Sequence, residues 1–499
     1  MIFLSAILFL QFFIAESFSG APKREILKCD DSNETGVRLA IHEEIINVLC
    51  VLTSREFTQN VEYSFQLKKN EFIVYLEIYN SSMTTIPDSL LPHLQFVREI
   101  IVQNTSLKHV DRLNYKFEYL FLMSIGDNAI ESLDDNAFTT FEDLIILNLS
   151  KNKLTHLKGN PFPTFNTDLF YDLSHNKIKN ITESVFKGMD FGYLALTNNS
   201  LENADRIFEY VVRAENLNLS HNKLKKFQPI GSLNTSFIDL SSNFLESVDF
   251  TKIDASTINM LKVNDNSLTK ISLGSSIKSL TSLQLEKNKL GNNLQDICKC
   301  EQLVNLTLKD NLIRDIGSCF SEMKALKLLD LAKNRIKAIK PESFHKDNAI
   351  ETLDLAFNRI ESFNEDTMTV FGHLKILNLT GNRLKDFYDN PKTIMPNLMV
   401  LGLSHNKFKC SRFSALQGKF SLLFKFFIDR SVSVDGTNVS KEGCYDDKEE
   451  TPKTTSEIFD AIIAMQTCLS EIKDELKKTN EILENKVENL CSNSNRENH

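Results

Sequence analysis

One string recurs along this chain. Leu144-Ile-Ile-Leu147-Asn-Leu149-Ser-Lys-Asn152-Lys-Leu154 has the form L-x-x-L-x-L-x-x-N-x-L. In the same frame its asparagine returns at Asn128, Asn152, Asn176, Asn199, Asn222, Asn243, Asn266, Asn288, Asn311, Asn334, Asn358, Asn382 and Asn406, at spacings of 21 to 24 residues. Two earlier frames, Ile73…Leu76-x-Ile78 and Val97…Ile100-x-Val102, carry Ser81 and Thr105 at that place. A single frame cannot bury its apolar residues alone, so fifteen in register must stack on one another.

The pattern predicts a leucine-rich-repeat solenoid, a repeat α/β horseshoe of about fifteen turns with a parallel β-sheet on its concave face. Each L-x-L pair points inward from a short strand, and neighbouring strands bury a shared core. The asparagine stands where the chain leaves the strand, where its amide can pair backbone groups that burial would otherwise orphan. Phe138, Phe162, Phe186 and Phe344 fall on the convex half of their repeats and are expected to be core. His175, His221 and His405 recur just before the asparagine, as solvated residues rather than metal ligands or bases.

Nine cysteines, an odd number, cannot all pair within one chain. Cys29 and Cys50 precede the first repeat, and Cys410 and Cys444 follow the last. Both ends of a stack need caps, so Cys29–Cys50 and Cys410–Cys444 are expected to close them. Cys319 lies about one repeat from Cys298 and Cys300 and could bond to either. Disulfides imply an oxidising compartment. Residues 1–19, with an apolar stretch from Ile2 to Ala15 and small Ser17 and Ser19, read as a secretory signal peptide without its usual basic start; the run is short for the alternative, a membrane anchor. An N-terminal cap over 20–70, the solenoid over 71–409 and a C-terminal cap over 410–445 follow.

Beyond an acidic linker (446–456) the period changes to heptads. Ile458, Ile462, Met465, Leu469, Ile472, Leu476, Leu483 and Leu490 form the seam of a coiled-coil helix over 457–491, weakened at Thr479 and Lys486, before a disordered tail (492–499). An amphipathic helix folding back on the solenoid is the alternative. Cys468 and Cys491 would stand roughly 35 Å apart on a straight helix, too far to bridge each other. Interchain bonding is the simpler reading, easier for Cys491 near the end.

The residues between the two inward leucines run Glu77, Ile101, Ser124, Asn148, Asp172, Ala195, Asn218, Asp239, Lys262, Gln284, Asn305, Asp330, Asp354, Asn378 and Gly402. This row is polar, slightly acidic and free of aromatic residues, so partner contact is expected on the flanks, the convex side or the C-terminal segment. N-x-S/T sequons stand at Asn33, Asn80, Asn104, Asn148, Asn180, Asn198, Asn218, Asn234, Asn305, Asn378 and Asn438. Those at Asn148, Asn218, Asn305 and Asn378 could carry glycans that shield the sheet, or could simply be by-products of the L-N-L-S string. The net charge of −9 argues against a basic nucleic-acid surface. Phosphate-loop, nucleophile-elbow and H-E-x-x-H motifs are absent, and His42-Glu43-Glu44 has no second histidine in range. Neither catalysis nor a cofactor is expected.

Two junctions carry a family likeness. The stretch Asn80–Asp111, with N-S-S-M and I-P-D-S-L-L, resembles the first repeats of the secreted leucine-rich-repeat immune proteins of mosquito haemolymph, where N-S-x-M and L-P-x-x-L-L recur, and Leu403–Leu416 is similar to their passage from solenoid to cap. The chain's coil is shorter, and it lacks the adjacent cysteine pair that follows the cap in that family. The resemblance implies a secreted scaffold that pairs with itself or with a related chain through a cysteine and a coiled coil, and holds complement-like thioester proteins. A soluble pattern-recognition receptor and an extracellular-matrix or adhesion protein are the alternative readings.

Overall fold

The structure is a computed structural model. It describes residues 23–427 apart from 28–39, 43–44, 54, 58–60, 66, 68–70, 113–114, 116, 165, 232, 276 and 421–424. The signal peptide, Cys29, Asn33, Asn438, Cys444, the linker, the coiled coil with Cys468 and Cys491, and the tail lie outside the described residues. The chain divides between Leu312 and Ile313 into two compact units.

In the unit before Ile313, short strands pair in chain order and in parallel. They run from Ile45–Thr53 and Glu71–Tyr79 through Ile146–Asn148, Leu169–Asp172, Asp190–Ala195, Arg213–Asn218, Phe237–Asp239 and Met260–Lys262 to Ser282–Gln284 and Asn305–Thr307. In the other unit Leu328–Asp330, Thr352–Asp354, Ile376–Asn378, Val400–Gly402 and Lys425–Phe427 form the same kind of ladder. The first ladder thus includes a strand before residue 71, and the second includes one past 409. Among the described residues helices are few and short, the longest being Cys410–Phe420, because a turn of 21 to 24 residues leaves little chain for a helical return. The molecule is a parallel-sheet solenoid of about fifteen turns.

The middle residue of each strand is buried, and the chain then turns on its asparagine. Asn152 Oδ1 accepts the Ile130 N–H at 2.9 Å, while its Nδ2 donates to the carbonyls of Ile125 (3.0 Å), Leu149 (3.1 Å) and Ser150 (3.2 Å). One amide therefore joins two turns. Asn128, Asn176, Asn199, Asn222, Asn243, Asn266, Asn288 and Asn311 make corresponding bonds, and so do Asn358, Asn382 and Asn406 in the other unit. Asn334 Oδ1 accepts the Ile313 N–H there.

The residue before each of these asparagines is left-handed, from Asp127 (φ 56°) to His405 (φ 54°). Asn, Asp and Gly tolerate this conformation best. His175 and His221 occupy it with exposed rings, and His405 is half-buried. On the return side Phe138, Phe162 and Phe186 stack at 6.0 Å intervals with nearly parallel planes, forming a spine behind the sheet. Phe344 lies 5.6 Å from Phe320 and 4.9 Å from Phe371 in the other unit.

Candidate protein-interaction face

Each strand offers its two outer residues to the open side of the sheet, one on either side of the buried middle residue. The residues after the middle form the polar row. One member is corrected by the register: Leu283 pairs with Leu306 and Gln284 with Thr307, whereas Asn305 pairs with Ser282. Thr307, not Asn305, belongs to the polar row. The frame shows why, since Asn311 sets Leu306 and Leu308 as its inward pair.

Much of the polar row serves the turn. Asn148, Asp172, Asn218 and Asp239 each accept, through Oδ1, the backbone N–H two residues ahead, at 2.9 to 3.0 Å. Asp330, Asp354 and Asn378 do the same at 2.8 to 3.2 Å. Asparagine and aspartate are interchangeable for this bond, which explains both the N-L-S strings and the row's acidic tone. Among the sequons, Asn80, Asn104, Asn180 and Asn234 are exposed, while Asn148, Asn198, Asn218, Asn305 and Asn378 are half-buried. Asn378 Nδ2 donates to Asp354 Oδ2 at 3.2 Å.

The other outer row, to which the expectation for the polar row does not extend, carries aromatic residues. In register stand Leu122, Ile146, Phe170, Tyr193, Asn216, Phe237 and Met260. Tyr193 is 38% exposed, and Phe170, Phe237 and Met260 are half-buried. Reading the residue before each buried middle residue, as in Phe170-Tyr171-Asp172 and Phe237-Ile238-Asp239, reveals the row in the sequence. The ladder is irregular between Leu169 and Phe170, where left-handed Asp168 (φ 57°) feeds the strand. A Cβ on Gly192 would lie 3.1 Å from Phe170 Cζ, so glycine makes room for that ring.

Charges surround these rings. Arg213 donates to Asp190 (2.7 Å) and to Asp168, with Glu215 3.6 Å away. The Lys262 ammonium lies 5.2 Å from the Phe237 ring centre. Burial, and then the Asp172 and Asp239 carboxylates, push the Tyr193 phenol above its ordinary value. Farther along the face, burial, with Glu77 next, raises the Tyr75 phenol, whose hydroxyl donates to Glu77 at 2.9 Å.

Cys50, Cys298, Cys319 and Cys410 are disulfide-bonded. Cys300 keeps its thiol, buried, pushed up to about 11 by that burial, and within 3.6 Å of the Asp296 carbonyl. Among the described residues no group of His, Cys, Asp or Glu is placed to hold a metal ion, and no helix is long and apolar enough to cross a membrane.

A leucine-rich-repeat family model matches residues 301–360. No curated protein matches. Among solved structures, the LRIM1/APL1C complex is similar over 90% of this chain and 77% of that one, with 20% identity and a TM-score of 0.53. A leucine-rich-repeat protein of Leptospira interrogans is similar over 67% of this chain and 86% of its own, with 19% identity and a TM-score of 0.53. Toll, in its Drosophila complex with Spatzle, is similar over 78% of this chain and 62% of that chain, at 18% identity and 0.52. Such identities speak to the fold, and the fold is that of a leucine-rich-repeat solenoid.

Proposed function

We propose that this chain is a secreted, non-enzymatic protein-binding scaffold of insect innate immunity, linked to itself or to a related leucine-rich-repeat chain and holding complement-like thioester proteins. The observation that carries the binding role is the open sheet face, whose aromatic row is the residue type that dominates protein interfaces. Bonded cysteines at both the first strands and the last helix support an oxidising compartment. The similarity to LRIM1/APL1C, itself a complex, supports assembly with a second chain. In this reading the heptad seam aligns two chains, and Cys491, or Cys468, bonds them.

The test is electrophoresis of the secreted protein with and without reductant, followed by identification of co-purifying chains. A larger species under non-reducing conditions that collapses with Cys491→Ser or Cys468→Ser, together with thioester proteins in the pull-down, is expected. Monomeric migration in both conditions overturns the linked scaffold. Direct binding of the purified monomer to microbial surfaces would instead favour a receptor.

A further inference from the structure

The fold explains most side chains on the sheet face but not the charges around Tyr193. Asp172 and Asp239 flank the aromatic row, each spending one oxygen on the turn behind it. Asn148 and Asn218 make the same bond at the same lattice position. Where the turn takes this bond it needs an Oδ1 acceptor and no negative charge. Asp168, Asp190 and Glu215 add three carboxylates beside the single Arg213, so acids outnumber cations around the rings. Within this cluster Lys262 already rests on Phe237, whereas Tyr193 keeps 38% of its surface exposed and beside it lies small Ala195.

We infer that the Phe170–Tyr193–Phe237 row with Asp172 and Asp239 is the docking site for a basic, arginine-bearing segment of a partner protein. A guanidinium stacks on an aromatic face and pairs with carboxylates at once, which an ammonium does less well. Apolar residues flanking the arginines would lie along Ile146 and Met260 at the ends of the row. From Ile146 to Met260 is five strand steps, about 24 Å, the reach of some seven extended residues. The inference rests on the protein-binding part of the proposed function and is independent of the interchain bond.

The probe is a fluorescent octapeptide of alternating leucine and arginine, followed by anisotropy against the full chain, with a citrulline-for-arginine peptide as its neutral counterpart. Asp172→Asn with Asp239→Asn keeps both turn bonds and removes both charges. It also creates two N-L-S strings, so the proteins are made in the bacterial periplasm, where disulfides form and those strings stay unmodified. Asp330→Asn with Asp354→Asn makes the same charge change at the same lattice position away from the aromatic row. The first pair should weaken binding about tenfold or more, and so should Tyr193→Ala. The second pair should change it less than about twofold. Equal weakening by both pairs would reduce the attraction to net charge. Equal binding of the citrulline peptide, or no binding of either peptide, would also overturn the site. A larger non-reducing species persisting after such a failure would leave the scaffold reading standing.

Discussion

The two sides of a strand in this solenoid obey different rules. On the inner side Leu147, Leu217 and Leu261 are buried and their turns close through Asn152, Asn222 and Asn266. On the open side the corresponding places hold Ile146, Asn216 and Met260 in one row, and Asn148, Asn218 and Lys262 in the other. The inner side is repetitive because each turn must satisfy the same orphaned backbone groups and fill the same width of core. The open side varies because the lattice asks little of it beyond the acceptor that several turns use. Substitutions on the two sides should therefore differ in size and in kind.

The largest loss is expected from Asn222→Ala. Asn222 accepts the Leu201 N–H and donates to the carbonyls of Leu196, Leu219 and Ser220 at 2.9 to 3.2 Å. Removing the amide strands several buried groups at once, a cost of about 3 kcal/mol or more. Denaturation followed by circular dichroism measures it, and a loss below about 1 kcal/mol would mean that water replaces the ladder. Gly381→Ala should come next. Gly381 adopts φ 69°, and an added Cβ would sit 2.5 Å from Phe357 Cδ1. The left-handed backbone costs about 1–2 kcal/mol, and the ring adds a steric share. Phe357→Ser, a residue the lattice already holds at Ser242, should relieve that share in a double-mutant cycle.

A third substitution tests how strictly the inner side excludes polarity. Tyr171 holds the middle position that leucine holds in most strands, fully buried between Phe162 (5.3 Å) and Phe191 (5.5 Å). Its hydroxyl has no hydrogen-bond partner among the described residues, and burial raises its pKa far above the ordinary phenol value. Tyr171→Phe keeps both ring contacts and removes the stranded hydroxyl, so stability should rise by about 1 kcal/mol. A fall would reveal a partner for the hydroxyl, such as an enclosed water.

This contrast also decides what the sequence discloses. The inner side is legible because its demands recur: Asn152 and Asn382 stand in the same string and make the same bonds. Asn305 resembles the row's other N-L-S/T asparagines but follows Val304 rather than a leucine, and only the distance to Asn311 fixes which leucine is the middle one. The aromatic row is harder to see because Phe170, Tyr193 and Phe237 alternate with aliphatic and polar residues and share no motif. They become one surface only when strands from consecutive turns lie side by side. The choice of thiol at Cys298 and Cys300 depends on a short helix, Gln295–Cys298, that ends on the one and leaves the other two residues beyond it, and two cysteines two residues apart carry no periodic signal for that.

The smallest effect should separate turn chemistry from charge on the open side. In unglycosylated protein, Asp239→Asn keeps an Oδ1 for the Ser241 N–H (2.9 Å) and for its hydroxyl (2.6 Å). Stability should then change by no more than about 0.5 kcal/mol. Asp239→Ala removes the acceptor and should cost about 1 kcal/mol. If asparagine proved as damaging as alanine, the charge itself would be structural, and the carboxylates beside Tyr193 would be needed by the fold. If asparagine is silent, the fold is indifferent to the charge, and its presence beside an open aromatic ring calls for a partner.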